Sequence, residues 1–182
     1  MLAASLLLAA CASQTPERIA LSPNVPPIQL QVQQLTPLAL TATDRRQMAE
    51  VVRFNDQKPP RLVGTMQNMQ TVMEQLFRQG FTQAGYQIDP ASGLTLEITL
   101  EQLQTDVEES MLGFNATTQL LMSVQASNNN RTFSKRYSAS SRLKGPLNAD
   151  FATLELDINN LISQLAGKII NDAELNQFLQ PR

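Results

Sequence analysis

The sequence predicts an α+β fold: an antiparallel sheet of about four or five strands with two long helices packed on one face. Three observations carry that expectation. Two stretches, 66–81 and 151–169, repeat apolar residues at helical spacing. Between them, three runs alternate apolar and polar side chains, as half-buried strands do. Each element has one apolar face, so both helices are expected to cover the same side of the sheet.

The elements follow in order. Leu38 and Leu40, with Ala42 on the same face, predict a strand running into Asp44-Arg45-Arg46. A second short strand is expected over Val51 to Phe54, before the break at Pro59-Pro60. From Thr65, Met66, Met69, Met73, Leu76, Phe77 and Phe81 recur at three and four residues, with Val72 beside them. That is one face of a helix of about five turns, and Gly85 closes it as a cap glycine. The methionines fall at core spacing, so they read as packing before they read as an adaptable binding surface.

Leu94, Leu96, Ile98 and Leu100 alternate with Thr95, Glu97 and Thr99. The phase then slips to Leu103 and Val107, which predicts a bulge near Gln102. Phe114, Leu120, Met122 and Val124 mark the next strand, and Phe133, Tyr137 and Leu143 the third. A two-residue turn at Asn128-Asn129 pairs Val124 with Phe133, Leu120 with Tyr137 and Phe114 with Leu143. In that register Lys135 faces inward opposite Met122, so either it reaches out to water or the register is imperfect. Asp150 opens the last long helix, with Phe151, Leu154, Ile158, Leu161, Ile162, Leu165 and Ile169 as its stripe. Asp172 caps a short terminal helix holding Leu175, Phe178 and Leu179.

The composition bounds the chemistry. The chain has 182 residues, 42% of them hydrophobic and 16% charged, enough for one domain with its own core. Its formal net charge is −2 with no long run of one sign, so nucleic acid is not an expected partner. Histidine and tryptophan are absent, and Cys11 is the only thiol. That removes His-based catalysis, Cys/His metal sites and internal disulfides. No Gly-rich phosphate loop, G-x-S-x-G elbow or S-x-x-K is present. We therefore expect no catalytic residue, no metal site and no cofactor. A hydrolase working through two carboxylates is the poorest of the readings considered.

Surface candidates are few. Asp44 and Arg46 form a local ion pair at a strand end, more often a structural feature than a functional one. Met111 and Leu112 lie where the first hairpin turns. They either touch a partner or a membrane or pack under the terminal helix, the second being favoured. Asp106, Glu108 and Glu109 lack the ligand spacing and glycine of a calcium loop and read as a charged strand end. The helix-free face of the sheet carries Thr, Gln, Ser and Asn, with Glu97 and Glu101 on one strand and Arg136, Arg142 and Lys144 on another. Such a face suits a sugar or a protein, although a solvated sheet face is the commoner reading.

The N-terminus is an address. Met1 to Cys11 is apolar apart from Ser5. It is too short to cross a bilayer, which takes about 20 residues, but it has the length of a signal-peptide hydrophobic region. Leu8-Ala9-Ala10-Cys11 resembles the lipobox of bacterial lipoproteins, which implies cleavage before Cys11 and lipid attachment to it. Such signals begin with Lys or Arg, whereas the first basic residue here is Arg18, so the natural start is expected upstream. Ala12 stands where lipoproteins retained in the inner membrane resemble one another in carrying Asp. The expected location is therefore the outer membrane, lipid-anchored and facing the periplasm of a Gram-negative bacterium.

The expected organisation is residues 1–10 as signal peptide, 11–36 as lipidated Cys11 with an extended Pro-containing tether, and 37–182 as a single periplasmic domain. Pro16, Pro23, Pro26 and Pro27 disfavour helix in the tether. Its reach is on the order of 70 Å extended and about 27 Å as a coil. Ile28, Leu30 and Val32 alternate with glutamines, so its end is expected to add a strand.

The lipobox, the strand running into Asp44-x-Arg46, the helix ending Gln83-Ala84-Gly85-Tyr86 and the strand pair around the Asn turn together resemble the YajG family of bacterial outer-membrane lipoproteins. The resemblance implies lipidation at Cys11 and a small α+β domain, and it supplies no catalytic residues. The function expected first is a non-enzymatic envelope lipoprotein, held in the membrane by covalent lipid, that binds an envelope protein or peptidoglycan. The alternative is an accessory subunit of lipid or lipopolysaccharide transport, which requires an acyl-sized apolar groove between helices and sheet.

Overall fold

The computed structural model describes residues 18–32 and 34–180. The chain forms β1 (Arg18–Ile19), β2 (Thr36–Asp44), β3 (Val52–Phe54), β4 (Arg61–Thr65), α1 (Met69–Gln83), β5 (Tyr86–Ile88), β6 (Leu94–Ser110), β7 (Gly113–Asn128), β8 (Arg131–Gly145), α2 (Phe151–Ile170) and α3 (Ala173–Leu179).

The expected antiparallel sheet of four or five strands with two long helices is corrected. The eight strands form one mixed sheet curled into a half-barrel, accompanied by three helices. The pairs β6–β7, β7–β8 and β3–β4 are antiparallel, while β2–β6, β3–β6, β2–β5 and β1–β4 are parallel. The physical reason lies in the path between β2 and β5. β2 and β3 run in one direction along the same edge of β6, and the β3–β4 hairpin reverses the chain. α1 then carries it back to the start of β2, so β5 and β6 run parallel to β2. The short strand expected over Val51 to Phe54 is β3, whereas β1 and β5, of two and three residues, are too short for an alternation to register.

Strand β6 organises the sheet. One edge pairs with β7 along its whole length. The other edge is shared: β2 pairs from Thr95 to Leu100 and β3 from Thr105 to Val107. The bulge sits at that seam, as a register shift between Leu100 and Gln102. It lets one continuous strand serve two partners in succession.

Helix α1 begins later than its apolar spacing implies. Asn68 caps it, accepting a hydrogen bond from the Thr71 amide at 3.2 Å, while Thr65 belongs to β4 and Met66 is exposed. Gly85 takes φ 99° and releases the chain into β5, a left-handed conformation that favours glycine. The β7–β8 turn is Asn129-Asn130, not Asn128-Asn129, so every expected pair moves by two residues. Val124 faces Lys135, Met122 faces Tyr137 and Ala126 faces Phe133. A run of three asparagines gave composition no means of choosing the corner. Asp150 and Asp172 do cap α2 and α3, accepting from the Thr153 and Leu175 amides.

The core lies between the sheet and the helices. Met73, Phe77 and Phe81 from α1 and Ile158, Leu165 and Ile169 from α2 are buried against Leu40, Leu96, Ile98 and Met122. Each such side chain contributes roughly 1.5–3 kcal/mol through burial.

Residues 18–32, expected within the tether, lie against this body. Ile19 and Leu21 are fully buried, and Val25, Ile28 and Val32 pack on the core. Their backbone is held largely by side-chain acceptors. Ala20 N–H donates to Glu155 at 2.6 Å, Leu21 to Gln67 at 3.0 Å, Ser22 to Asn159 at 2.9 Å and Gln29 to Asn171 at 2.8 Å. Prolines lack the donors a ladder needs, and residues 28–32 form no strand. The segment is a strap across the helices, and the sheet gains β1 from its beginning instead.

Candidate functional site

The seam in β6 also positions the principal surface feature. The chain leaves the sheet after Asp44 and re-enters at Val52, and residues 45–51 stand over the bulge. Asp44 and Arg46 fasten this loop. Arg46 donates from Nε and Nη2 to the two Asp44 carboxylate oxygens, each at 2.8 Å, and its amide donates to Oδ1 at 3.2 Å. The Arg46 side chain is only 7% exposed and the Asp44 side chain 24%. Burial pushes the Asp44 carboxyl upward, but the Arg46 bonds and charge outweigh it and hold the group below its ordinary 3.8. Expected as surface binding candidates, the two residues clamp the loop and line the clefts on either side of it.

Beside the clamp, a cleft of about 660 Å³ opens on the helix-free face. Arg45, Arg46 and Met48 form one wall, and Glu97, Glu101, Gln102, Ser123 and Gln125 the other. Thr43 Oγ1 donates to Glu97 at 3.3 Å, Arg45 lies 3.6 Å from Glu97, and Arg136 lies 3.6 Å from Glu101. Both acids thus have an arginine neighbour. The cleft offers amides, hydroxyls and charges of both signs, which suits reversible hydrogen bonding to a polar ligand. A second cleft, about 610 Å³, lies on the other side of Arg46, near Arg18, Glu50 and Gln67.

Met111 and Leu112 occupy the tip of the β6–β7 hairpin. They do not pack under the terminal helix: Met111 is 102% and Leu112 93% exposed. Helix α3 lies at the other end of the sheet, where Lys135 of β8 bonds Asp172 at 2.8 Å and Glu174 at 2.7 Å. That double contact is how the inward-facing lysine is satisfied. Burial pushes the Asp172 carboxyl upward, but the Lys135 bond and charge and the Leu175 amide outweigh it and hold the group below 3.8.

Two buried polar groupings escaped the sequence reading. Thr105 and Thr118 hydroxyls meet at 2.9 Å beneath α2, where Asp157 accepts from Ser141 at 2.6 Å and from Thr118 at 3.3 Å. Tyr86 donates its hydroxyl proton to Asn176 at 2.8 Å, and Asn176 donates to the Ile170 and Asp172 carbonyls. The available signal was threonine at inward-facing strand positions, which periodicity alone reads as a phase error. The first cleft opens on the helix-free face, the second reaches the start of α1 at Met69 and Gln70, and the core between helices and sheet is filled by buried side chains. Among the described residues no group of acidic residues is arranged to hold a metal ion, and no helix is long and apolar enough to cross a membrane. Cys11, the expected lipid attachment site, lies outside the described residues, as do residues 1–10.

Over most of its length the chain matches the pattern of a family of uncharacterized lipoproteins, which sets the class of protein. The chain belongs to the YajG family, described as uncharacterized lipoproteins, whose sequence pattern matches residues 23–180. It is 20% identical to the uncharacterized lipoprotein YajG of Escherichia coli K12 over 181 residues, covering 98% of this chain and 94% of that one. The same values hold for YajG of a uropathogenic E. coli strain. A crystal structure of a Xanthomonas campestris protein is similar with a TM-score of 0.65 at 13% identity, covering 88% of this chain and 95% of that one. That likeness shows a shared fold. The family relatives are named as lipoproteins and not as enzymes.

Proposed function

We propose that this is an outer-membrane lipoprotein, acylated at Cys11, which presents its domain to the periplasm and binds the cell wall through the helix-free face. The observation that carries the binding half is the cleft at the bulge. Its arginines, glutamates and glutamines match the carboxylates, ammonium groups, amides and hydroxyls of peptidoglycan stem peptides and sugars. The lipobox ending at Cys11 and the family support the anchor, and Ala12 supports the outer membrane. An envelope protein is the competing occupant of the same face.

The test is cosedimentation of the lipidated protein with purified peptidoglycan, paired with crosslinking in whole envelopes. Replacing Gln102 and Gln125 together with alanine removes two exposed hydrogen-bonding side chains without touching the core. The expected loss of peptidoglycan affinity is about tenfold, two hydrogen bonds of ordinary strength. Wild-type protein that stays in the supernatant and crosslinks only to another protein overturns the cell-wall reading.

A further inference from the structure

Of the four most exposed large apolar side chains among the described residues, three are gathered at one end of the sheet. Met111 and Leu112 form the β6–β7 tip, and Leu147, 77% exposed, follows the β8 end that pairs with Phe114. Two of the tip's backbone groups are bonded by the Ser110 side chain. Ser110 Oγ donates to the Gly113 carbonyl at 2.9 Å and accepts from the Leu112 amide at 3.3 Å. Each backbone group bonded in this way lowers the cost of bringing the apolar tip into an apolar medium.

The direction of β1 supplies a second, independent observation. β1 runs parallel to β4, with Arg18 opposite Gly64 and Ile19 opposite Thr65. Followed backward from Arg18, the chain points past Val63 toward Arg61. Arg61 pairs with Phe54, and Phe54 pairs with Val107 on the stretch of β6 that leads to the tip. The polypeptide therefore enters the domain from the tip end. Seven residue steps separate Cys11 from Arg18, a reach of at most about 24 Å. From the level of Gly64 to Ser110, β6 climbs about 20 Å. A lipid on Cys11 at full stretch comes level with Met111 and Leu112, and hardly beyond.

We infer that the Met111–Leu112 tip, flanked by Leu147, is a second membrane contact that dips into the same leaflet that holds the Cys11 acyl chains. This rests on the anchoring proposed above. The short remaining leader keeps the tip at the bilayer surface, and the tip fixes the domain's orientation. Apolar side chains seated this way lie about 5–10 Å into the headgroup–acyl boundary.

The chain contains no tryptophan, so a single one reports depth. The mature chain, Cys11 to Arg182, is coupled through its only thiol to a maleimide-headgroup lipid in phosphatidylcholine vesicles containing brominated lipid. Coupling replaces natural acylation, so the geometry is tested even if the native anchor differs, and mass analysis of envelope-derived protein reads that anchor separately. Leu112→Trp is expected to show blue-shifted emission and bromolipid quenching at least about threefold greater than Asn130→Trp at the opposite turn, as insertion to that depth requires. Both positions are at exposed corners, and coincident thermal unfolding of the two variants checks their fold. Equal, weak quenching at both positions in vesicle-coupled protein overturns the inference, as does stronger quenching at position 130.

Discussion

Asp172 shows how much one side chain does in this protein. It caps α3, receives Lys135 from β8 and marks the break between α2 and α3. Asp172→Ala is expected to lower stability by about 1–2 kcal/mol at pH 7, a typical loss for a removed cap. Its folded carboxyl sits below the 3.8 of the free group. The associated stability is therefore complete above about pH 4 and is lost as pH falls through the folded value. Urea titrations at pH 7 and pH 3 should show the difference between wild type and Asp172→Ala narrowing in acid. A difference that grows in acid contradicts the assignment. The cap was legible because Asp stands directly before a helical repeat. The lysine was legible only as a misfit, because its partners lie 37 and 39 residues away.

At the scale of elements, periodicity captured what is local and missed what depends on partners. The stripe of α2, the slip in β6 and the Gly85 exit were readable because each follows from side chains within a few residues. Parallel pairing was not, since it follows from the reversal at the β3–β4 hairpin and the return of the chain along α1 to the start of β2. The strap over residues 18–32 was obscured by its prolines, which signal an extended chain equally well whether it is free or docked. Asn171 is its buckle: the side chain accepts from the Gln29 and Leu30 amides and donates to the Pro27 and Gly167 carbonyls. Asn171→Ala is expected to speed proteolytic cutting within 18–32 about tenfold while global unfolding shifts much less, as for a locally opening unit. Limited proteolysis with mass readout checks it. Cutting confined to the β6–β8 hairpins instead would show that the strap is not the weakly held element.

For the whole molecule, the candidate site was legible as composition and not as shape. Glu97, Glu101 and Arg136 were assigned to the helix-free face from alternation, but the cleft exists because β2 yields to β3 at a bulge and residues 45–51 stand over it. Asp44 and Arg46, read as a surface pair, hold that loop in place. The arrangement joins a compact sheet, a strap entering from the tip end and a thiol seven residues farther on. Under the proposed anchoring, function depends on where the domain is held as much as on what its face can bind.

The most direct measurement compares envelopes from cells making wild-type protein and Cys11→Ser, scored for metabolic acyl labelling and for membrane fractionation, with circular dichroism of both purified proteins. The account predicts labelled, membrane-bound wild type and an unlabelled variant in the soluble fraction with an unchanged spectrum. A wild-type protein carrying a free thiol and remaining soluble contradicts it.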